Sequence, residues 1–368
     1  MKIGVYTGYV HLKIDGVNDE FPVINMKDDT VITYRDNQAY GSELSLVNLA
    51  KGLIKKDCEV VIFNSQHIGI LDQLDFDVII VSRYINFWMH FDTNIPVVIW
   101  LHDTVMVNWV QSSRMPIEGR FYIKNLYDKI NRIVVLTDWH KQNIMNIYEL
   151  DDKKFQIIGH GLPDRDYPNK IPKKVENKMI WTSDWERGVD RAVRIINKIE
   201  DPSIKINFDI YGEGSSDSRT LEKYPGLKEE IEKSRHNIRT HPYIDNDVLQ
   251  EEWKNCDIWF YPTHYPETYC ITALEAQRHG CFVLSTRVAA LENVVEDRGI
   301  VCHCDPNHGD LEDTMAMQLE YYIKNKKKTT PYRKKGMEWA KQQTITKTVN
   351  EWYALLTKVM EETNEANK

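Results

Sequence analysis

The chain has 368 residues, a formal net charge of −8, 42% apolar and 28% charged residues. That length sets an expectation of two domains of roughly 150 residues each. The absence of any run of about 18 apolar residues excludes a membrane-spanning helix, and the acidic balance excludes nucleic acid as a partner, because neutralising phosphates requires a basic surface or stripe.

Lys2 to Tyr6 reads as a first buried strand entered directly, with no signal-peptide pattern, and the six scattered cysteines read as reduced thiols; both point to a cytoplasmic protein. A loop containing Gly8 and Gly16 then reaches to about Arg35. It lacks the G-x-G-x-x-G turn that a dinucleotide-binding unit needs there, which counts against a nicotinamide dehydrogenase. Leu44, Leu46, Val47, Leu49, Ala50, Leu53 and Ile54 follow Tyr40-Gly41-Ser42-Glu43 at helical spacing, with Ser42 as the expected cap. Strands are predicted at 59–63, 77–82, 96–101, 132–137 and 156–161. The third of these ends in His102-Asp103, and groups at the carboxyl ends of parallel strands are where ligands collect. Strands alternating with helices predict a doubly wound α/β domain over 1–165.

Residues 162–178 carry three prolines and few apolar side chains, so 166–177 reads as a linker. A second α/β domain is predicted over 178–340. Its first strand, from Lys178, ends at Ser183, and the loop after it carries Arg187-Gly188, where a guanidinium fork suits diphosphate oxygens. The strand 207–211 runs into Gly212-Glu213-Gly214, and a helix opens after Tyr243, at 244–249. Residues 258–286 then form a strand, loop, helix and strand. The helix is expected over Tyr269 to His279 with Thr268 as N-cap, and the amides of Tyr269 and Cys270 would face an anion at its positive end. Glu267 precedes that helix and Glu275 lies about 10 Å further along it, at about 1.5 Å per residue. A carboxylate at 275 can accept hydrogen bonds from a ribose diol, while Glu267 lies where a sugar attached to the diphosphate would be.

Cys302 and Cys304 flank His303, with His308 nearby, but one such pair lacks the spacing of a zinc site. Lys324 to Lys335 is strongly basic, which suits a solvated face or a peripheral contact with an anionic membrane or glycan. Residues 341–368 belong to a long amphipathic helix.

Glu267 and Glu275, with seven residues between them in PETYCITALEA, resemble the E-x7-E signature of retaining glycosyltransferases with the GT-B fold, the group 1 type also called family 4. Gly41-Ser42-Glu43 is similar to the family's G-G-x-E element, with Ser42 where its second glycine usually stands. Arg187-Gly188 matches its diphosphate-binding loop, although Ser183 replaces a second arginine. The resemblance implies two Rossmann-like domains facing across a cleft, with a C-terminal helix that returns to the first. It implies catalytic roles for Glu267, Arg187 and His102, and donor contacts for Glu275, Thr268, Tyr269, Cys270, Ser183, Gly188 and Gly212, with Tyr243 and Val248 against the base. The activity implied is transfer of a sugar, with retention, from a UDP- or GDP-sugar to a glycan, lipid-linked or small-molecule hydroxyl, without a cofactor or required metal. A sugar-nucleotide epimerase, or a non-catalytic sugar-nucleotide-binding protein on the same fold, is the alternative; a phosphorylase would need a cofactor lysine near this signature.

Overall fold

A computed structural model describes residues 1–8, 12–14, 23–27, 32–34, 41–106, 120–214, 219–303 and 310–366. Most of the Gly8–Arg35 loop, together with Cys304 and His308, lies outside the described residues. The chain divides into two compact units, Met1–Asp164 with Gln343–Lys368, and Arg165–Gln342.

In the first unit, β1 (Lys2–Tyr6), β2 (Leu12–Ile14), β3 (Ile24–Asn25) and β4 (Ile32–Tyr34) precede α1 (Gly41–Ile54) and β5 (Glu59–Phe63). Then come α2 (Ile70–Gln73), β6 (Val78–Ser82), α3 (Phe87–His90), β7 (Val97–Trp100), α4 (Arg120–Tyr127), β8 (Arg132–Val135), α5 (Asp138–Tyr148) and β9 (Phe155–Ile157). Seven strands form one sheet in the order β3-β5-β1-β6-β7-β8-β9, parallel except for β3. Its strands are continuous runs of Val and Ile because both faces are covered, and residues such as Ile3, Val61, Ile79, Ile99 and Ile133 are essentially inaccessible.

The second unit contains β10 (Lys178–Trp181), α6 (Val189–Asn197), β11 (Asn207–Glu213), α7 (Pro225–Lys233), β12 (Asn237–Pro242) and α8 (Asn246–Asn255). It continues with β13 (Ile258–Tyr261), α9 (Ile271–Arg278), β14 (Phe282–Thr286), α10 (Leu291–Val295), β15 (Ile300–Cys302), α11 (Asp310–Lys324) and α12 (Thr330–Gln342). Its strands run parallel in two groups, β10-β11-β12 and β13-β14-β15. The amide of Asp257, just before β13, bonds the carbonyl of Lys178 in β10 at 2.8 Å, which sets the two groups edge to edge. Strand β11 runs two residues past its expected end, through a bulge where Gly212 has φ 97°.

The C-terminal helix expected over 341–368 is observed over 345–366. α12 belongs to the second unit, and α13 (Ile345–Ala366) belongs to the first. The crossing is fixed by main-chain bonds of 2.9 Å from Leu162 N to Gln343 O and 2.8 Å from Ile345 N to Leu162 O. Trp352 of α13 is fully buried, with its ring 5.1 Å from that of Trp100. The Thr344 backbone passes so close to Gly161 that an added Cβ would lie 2.3 Å from it. Gly161→Ala should therefore lower the unfolding free energy by about 1–3 kcal/mol, the usual range for overpacking. An unchanged urea midpoint and slope would show that this crossing yields without strain.

Residues 166–177, read as a linker, lie within the second unit and are packed on it. Lys174 Nζ donates to the carbonyls of His279 at 2.7 Å and Trp253 at 3.3 Å, and Arg278 donates to Pro168 O at 2.8 Å. Prolines here shape an ordered strap, since its polar groups find partners on the domain surface. The basic run is also less available than its composition suggests. Lys324 pairs with Asp201 and Glu320, Lys326 with Glu176, and Lys335 with Asp297, while Arg333 is buried against Asp257 at 2.7 Å. Among the described residues no helix is long and apolar enough to cross a membrane.

Candidate active site

Arg187 ends a single 3-10 turn, Trp185–Arg187, just after β10. Asp184 caps that turn by accepting from Glu186 N at 3.0 Å, and the buried Trp185 anchors it by donating from Nε1 to Tyr211 O at 3.1 Å. Gly188 follows with φ 110°, in a region that disfavours side chains, and its Cβ position faces Pro262 O at 3.4 Å. The loop after β10 thus lies against the loop after β13. Thr263 Oγ1 joins them, donating to Arg187 O at 2.7 Å and accepting from Tyr265 N at 2.9 Å.

Glu267 is 5% exposed, and its Oε1 accepts from Arg187 Nη1 at 2.9 Å and from Tyr261 Oη at 2.7 Å. The guanidinium lies over the Tyr265 ring, 4.3 Å from its centroid. Burial opposes the charge on Arg187, but the Glu267 carboxylate outweighs it and raises the guanidinium pKa further. Burial, followed by the Glu267 charge, pushes Tyr261 well above the usual phenol value, so its hydroxyl stays a donor. Ser183 extends towards the helix that follows, its Oγ 3.5 Å from Thr272 Oγ1 at the start of α9. A buried carboxylate with two strong donors is held in one orientation.

The helix start differs from the expectation. α9 begins at Ile271, not Tyr269, and Thr268 is not its cap. Cys270 holds that position, with φ 74° and its Sγ 3.3 Å from Thr272 Oγ1. Its carbonyl already accepts from Ala273 N at 3.1 Å, so the first-turn amides that open the helix are those of Ile271 and Thr272. Tyr269 and Cys270 are buried in the loop, where burial and then the Glu267 charge push the Cys270 thiol up and keep it protonated. An αL conformation at a non-glycine residue is uncommon and collects at functional turns.

Glu275 is partly buried on α9, and burial raises its carboxyl to about 7 against the opposing pull of Arg165 and a hydrogen bond from Gln250. Tyr243 and Val248, at the entry to α8, are 50% and 53% exposed. His102 lies in the first unit, with its ring 4.5 Å from Trp100 and stacked on His160 at 5.6 Å. Burial, then the neighbouring His160 and Arg83, drive its pKa well down, so its ring is neutral. The structure thus gathers Glu267, Arg187, Gly188, Ser183 and Cys270 into one cluster of the second unit, with Glu275 further along α9. Tyr261, Tyr265 and Gln250 were not singled out from the sequence. Tyr261 could have been, because it is the last residue of a strand at the ligand-binding edge.

Residues 177–324 match the family model described as Glycosyl transferases group 1. The second unit is a group 1 glycosyltransferase domain. The match includes every residue of the Glu267 cluster and Glu275. The chain also resembles a Klebsiella pneumoniae protein described as an uncharacterized 41.2 kDa protein in cps region, at 28% identity over 130 residues. That match covers 35% of this chain and 32%, about a third, of the relative's length. In fold it is similar over 98% of its length to 99% of a sucrose-phosphate synthase from Thermosynechococcus elongatus, with a TM-score of 0.73 and 12% identity. Alr3699/HepE from Anabaena, solved in complex with UDP and glucose, gives a TM-score of 0.66 at 12% identity, covering 97% of this chain and all of that one. The chain therefore has the GT-B fold, built from two Rossmann-like α/β units.

Proposed function

We propose that this chain is a glycosyltransferase that moves a sugar from a UDP- or GDP-sugar to a hydroxyl of a glycan, lipid-linked or small-molecule acceptor with retention of anomeric configuration. The observation that carries the reading is the buried Glu267 carboxylate, bonded by Arg187 and Tyr261 beside the N-terminus of α9. The diphosphate would lie against the Ile271 and Thr272 amides, where the helix end favours negative charge. Arg187 would stabilise the charge that grows on it as the bond from the anomeric carbon to the phosphate oxygen breaks. The acceptor oxygen bonds the anomeric carbon from the same face, and its proton passes to the departing diphosphate. Glu267 holds Arg187 and faces the donor sugar, and Glu275 binds the nucleotide's ribose. The helix end and guanidinium offset the leaving charge, so a divalent metal is not required for turnover.

The test is incubation with a panel of UDP- and GDP-sugars, following consumption and the product's anomeric coupling by proton NMR. One α-linked donor should be consumed and give an α product. A β product would overturn retention, and a folded protein that consumes no member of either series would overturn the donor class.

A further inference from the structure

The turn that carries Arg187 is held by a second arginine, which the proposed chemistry leaves unused. Arg219 follows β11, and its main-chain carbonyl accepts from Gly214 N at 2.7 Å, which ties it to the end of that strand. Its side chain is 17% exposed, and its Nη2 donates to Asp184 Oδ2. The other carboxylate oxygen, Oδ1, accepts from Glu186 N at 3.0 Å, and the Asp184 carbonyl accepts from Arg187 N at 3.1 Å. Asp184 thus makes two of the bonds that shape the turn, and Arg219 steadies the side chain that makes one of them. Bonds on both oxygens, one of them charge-assisted, hold a carboxylate in one rotamer. A lone 3-10 turn has poor hydrogen-bond geometry and no longer helix behind it, so its shape depends on its cap. From the β13 side, Arg187 is held by Glu267 and by Thr263. From the β11 side it is held through this turn, by Arg219 on Asp184 and by Tyr211 O on the Trp185 indole.

We propose that Arg219 is a positioning residue: through Asp184 it fixes the Trp185–Arg187 turn, and so the place where the Arg187 guanidinium meets the diphosphate. The inference rests on the reading that Arg187 meets the diphosphate. Residues 182–188 contain no other cation, because Ser183 stands where the family has a second arginine. The rate therefore depends on where this one guanidinium sits, and a misplacement of about 1 Å costs up to roughly 100-fold.

Turnover of the UDP- or GDP-sugar that wild type consumes, measured for Arg219→Ala, Arg219→Lys, Arg187→Ala and the double variant Arg187→Ala/Arg219→Ala, tests this. Arg219→Ala should lower kcat about tenfold, and Arg219→Lys, which keeps a charge on Asp184, should recover most of the loss. The double variant should be no slower than Arg187→Ala, because both changes act on one group and their effects do not add. Wild-type kcat in Arg219→Ala, with Arg187→Ala impaired, would overturn the role of Arg219 and leave the reading of Arg187 standing. A double variant slower than Arg187→Ala by the full factor would overturn it too, since Arg219 would then act without Arg187. Should Arg187→Ala turn over as wild type, or wild type consume no such sugar, the reading of Arg187 falls and this inference falls with it. If Arg219→Ala does not fold, Asp184→Asn takes its place: it keeps an oxygen for Glu186 N but not the charge that Arg219 pairs with. It should show the same loss alone and none beside Arg187→Ala, and wild-type kcat in Asp184→Asn would contradict the proposal.

Discussion

Arg187→Ala should lower turnover by about 10²–10³ at saturating donor, the scale on which enzymes lose rate when one preorganised donor to a developing anion is removed. The guanidinium has two duties in the structure, bonding Glu267 at 2.9 Å and lying 4.3 Å above Tyr265. Its removal also leaves the 5%-exposed Glu267 carboxylate with Tyr261 as its remaining side-chain donor, so the melting temperature should fall as well. Arg187→Lys separates the effects. A lysine restores the charge but not the planar fork or the stacking, so it should recover stability more fully than rate. Full turnover in Arg187→Ala would remove the residue from the reaction.

Glu275→Ala should weaken nucleoside diphosphate binding by about 100-fold, from the loss of charge-assisted hydrogen bonds of roughly 1.5–3 kcal/mol each. The same residue predicts a pH dependence. Burial raises its folded carboxyl to about 7 from the ordinary 4.5. Between these values the folded state binds more protons than the unfolded chain, so stability falls as pH rises from about 4.5 to 7. The ligand-free protein should therefore lose melting temperature over that interval relative to Glu275→Gln, which cannot ionise. Nucleotide binding should tighten over the same interval, because the ionised carboxylate is the better acceptor for hydroxyl protons. Parallel melting curves for wild type and Glu275→Gln from pH 5 to 8 would show that the carboxyl does not titrate there.

The residues that carry the site were legible because their positions follow from local rules. Val and Ile runs ended by Gly, Pro or polar residues marked the strands, and the strand ends marked the edge where Arg187 and Glu267 stand. The start of α9 was not legible: Thr268 is a good cap by type, but the chain instead turns through αL at Cys270, a conformation that sequence gives little reason to assign to a cysteine. The strap at 166–177 and the burial of Arg333 within the basic run escaped the sequence for a shared reason. Composition describes a segment's own residues, whereas Lys174 and Arg333 are defined by carbonyls and carboxylates about 80 or more positions away.

A crystal structure of the protein with UDP or GDP tests the central claim most directly. The result expected is a diphosphate within hydrogen-bond distance of the Ile271 and Thr272 amides and of the Arg187 guanidinium, with the ribose diol on Glu275. A nucleotide bound with its diphosphate away from the start of α9, or its ribose away from Glu275, would contradict the site assembled here.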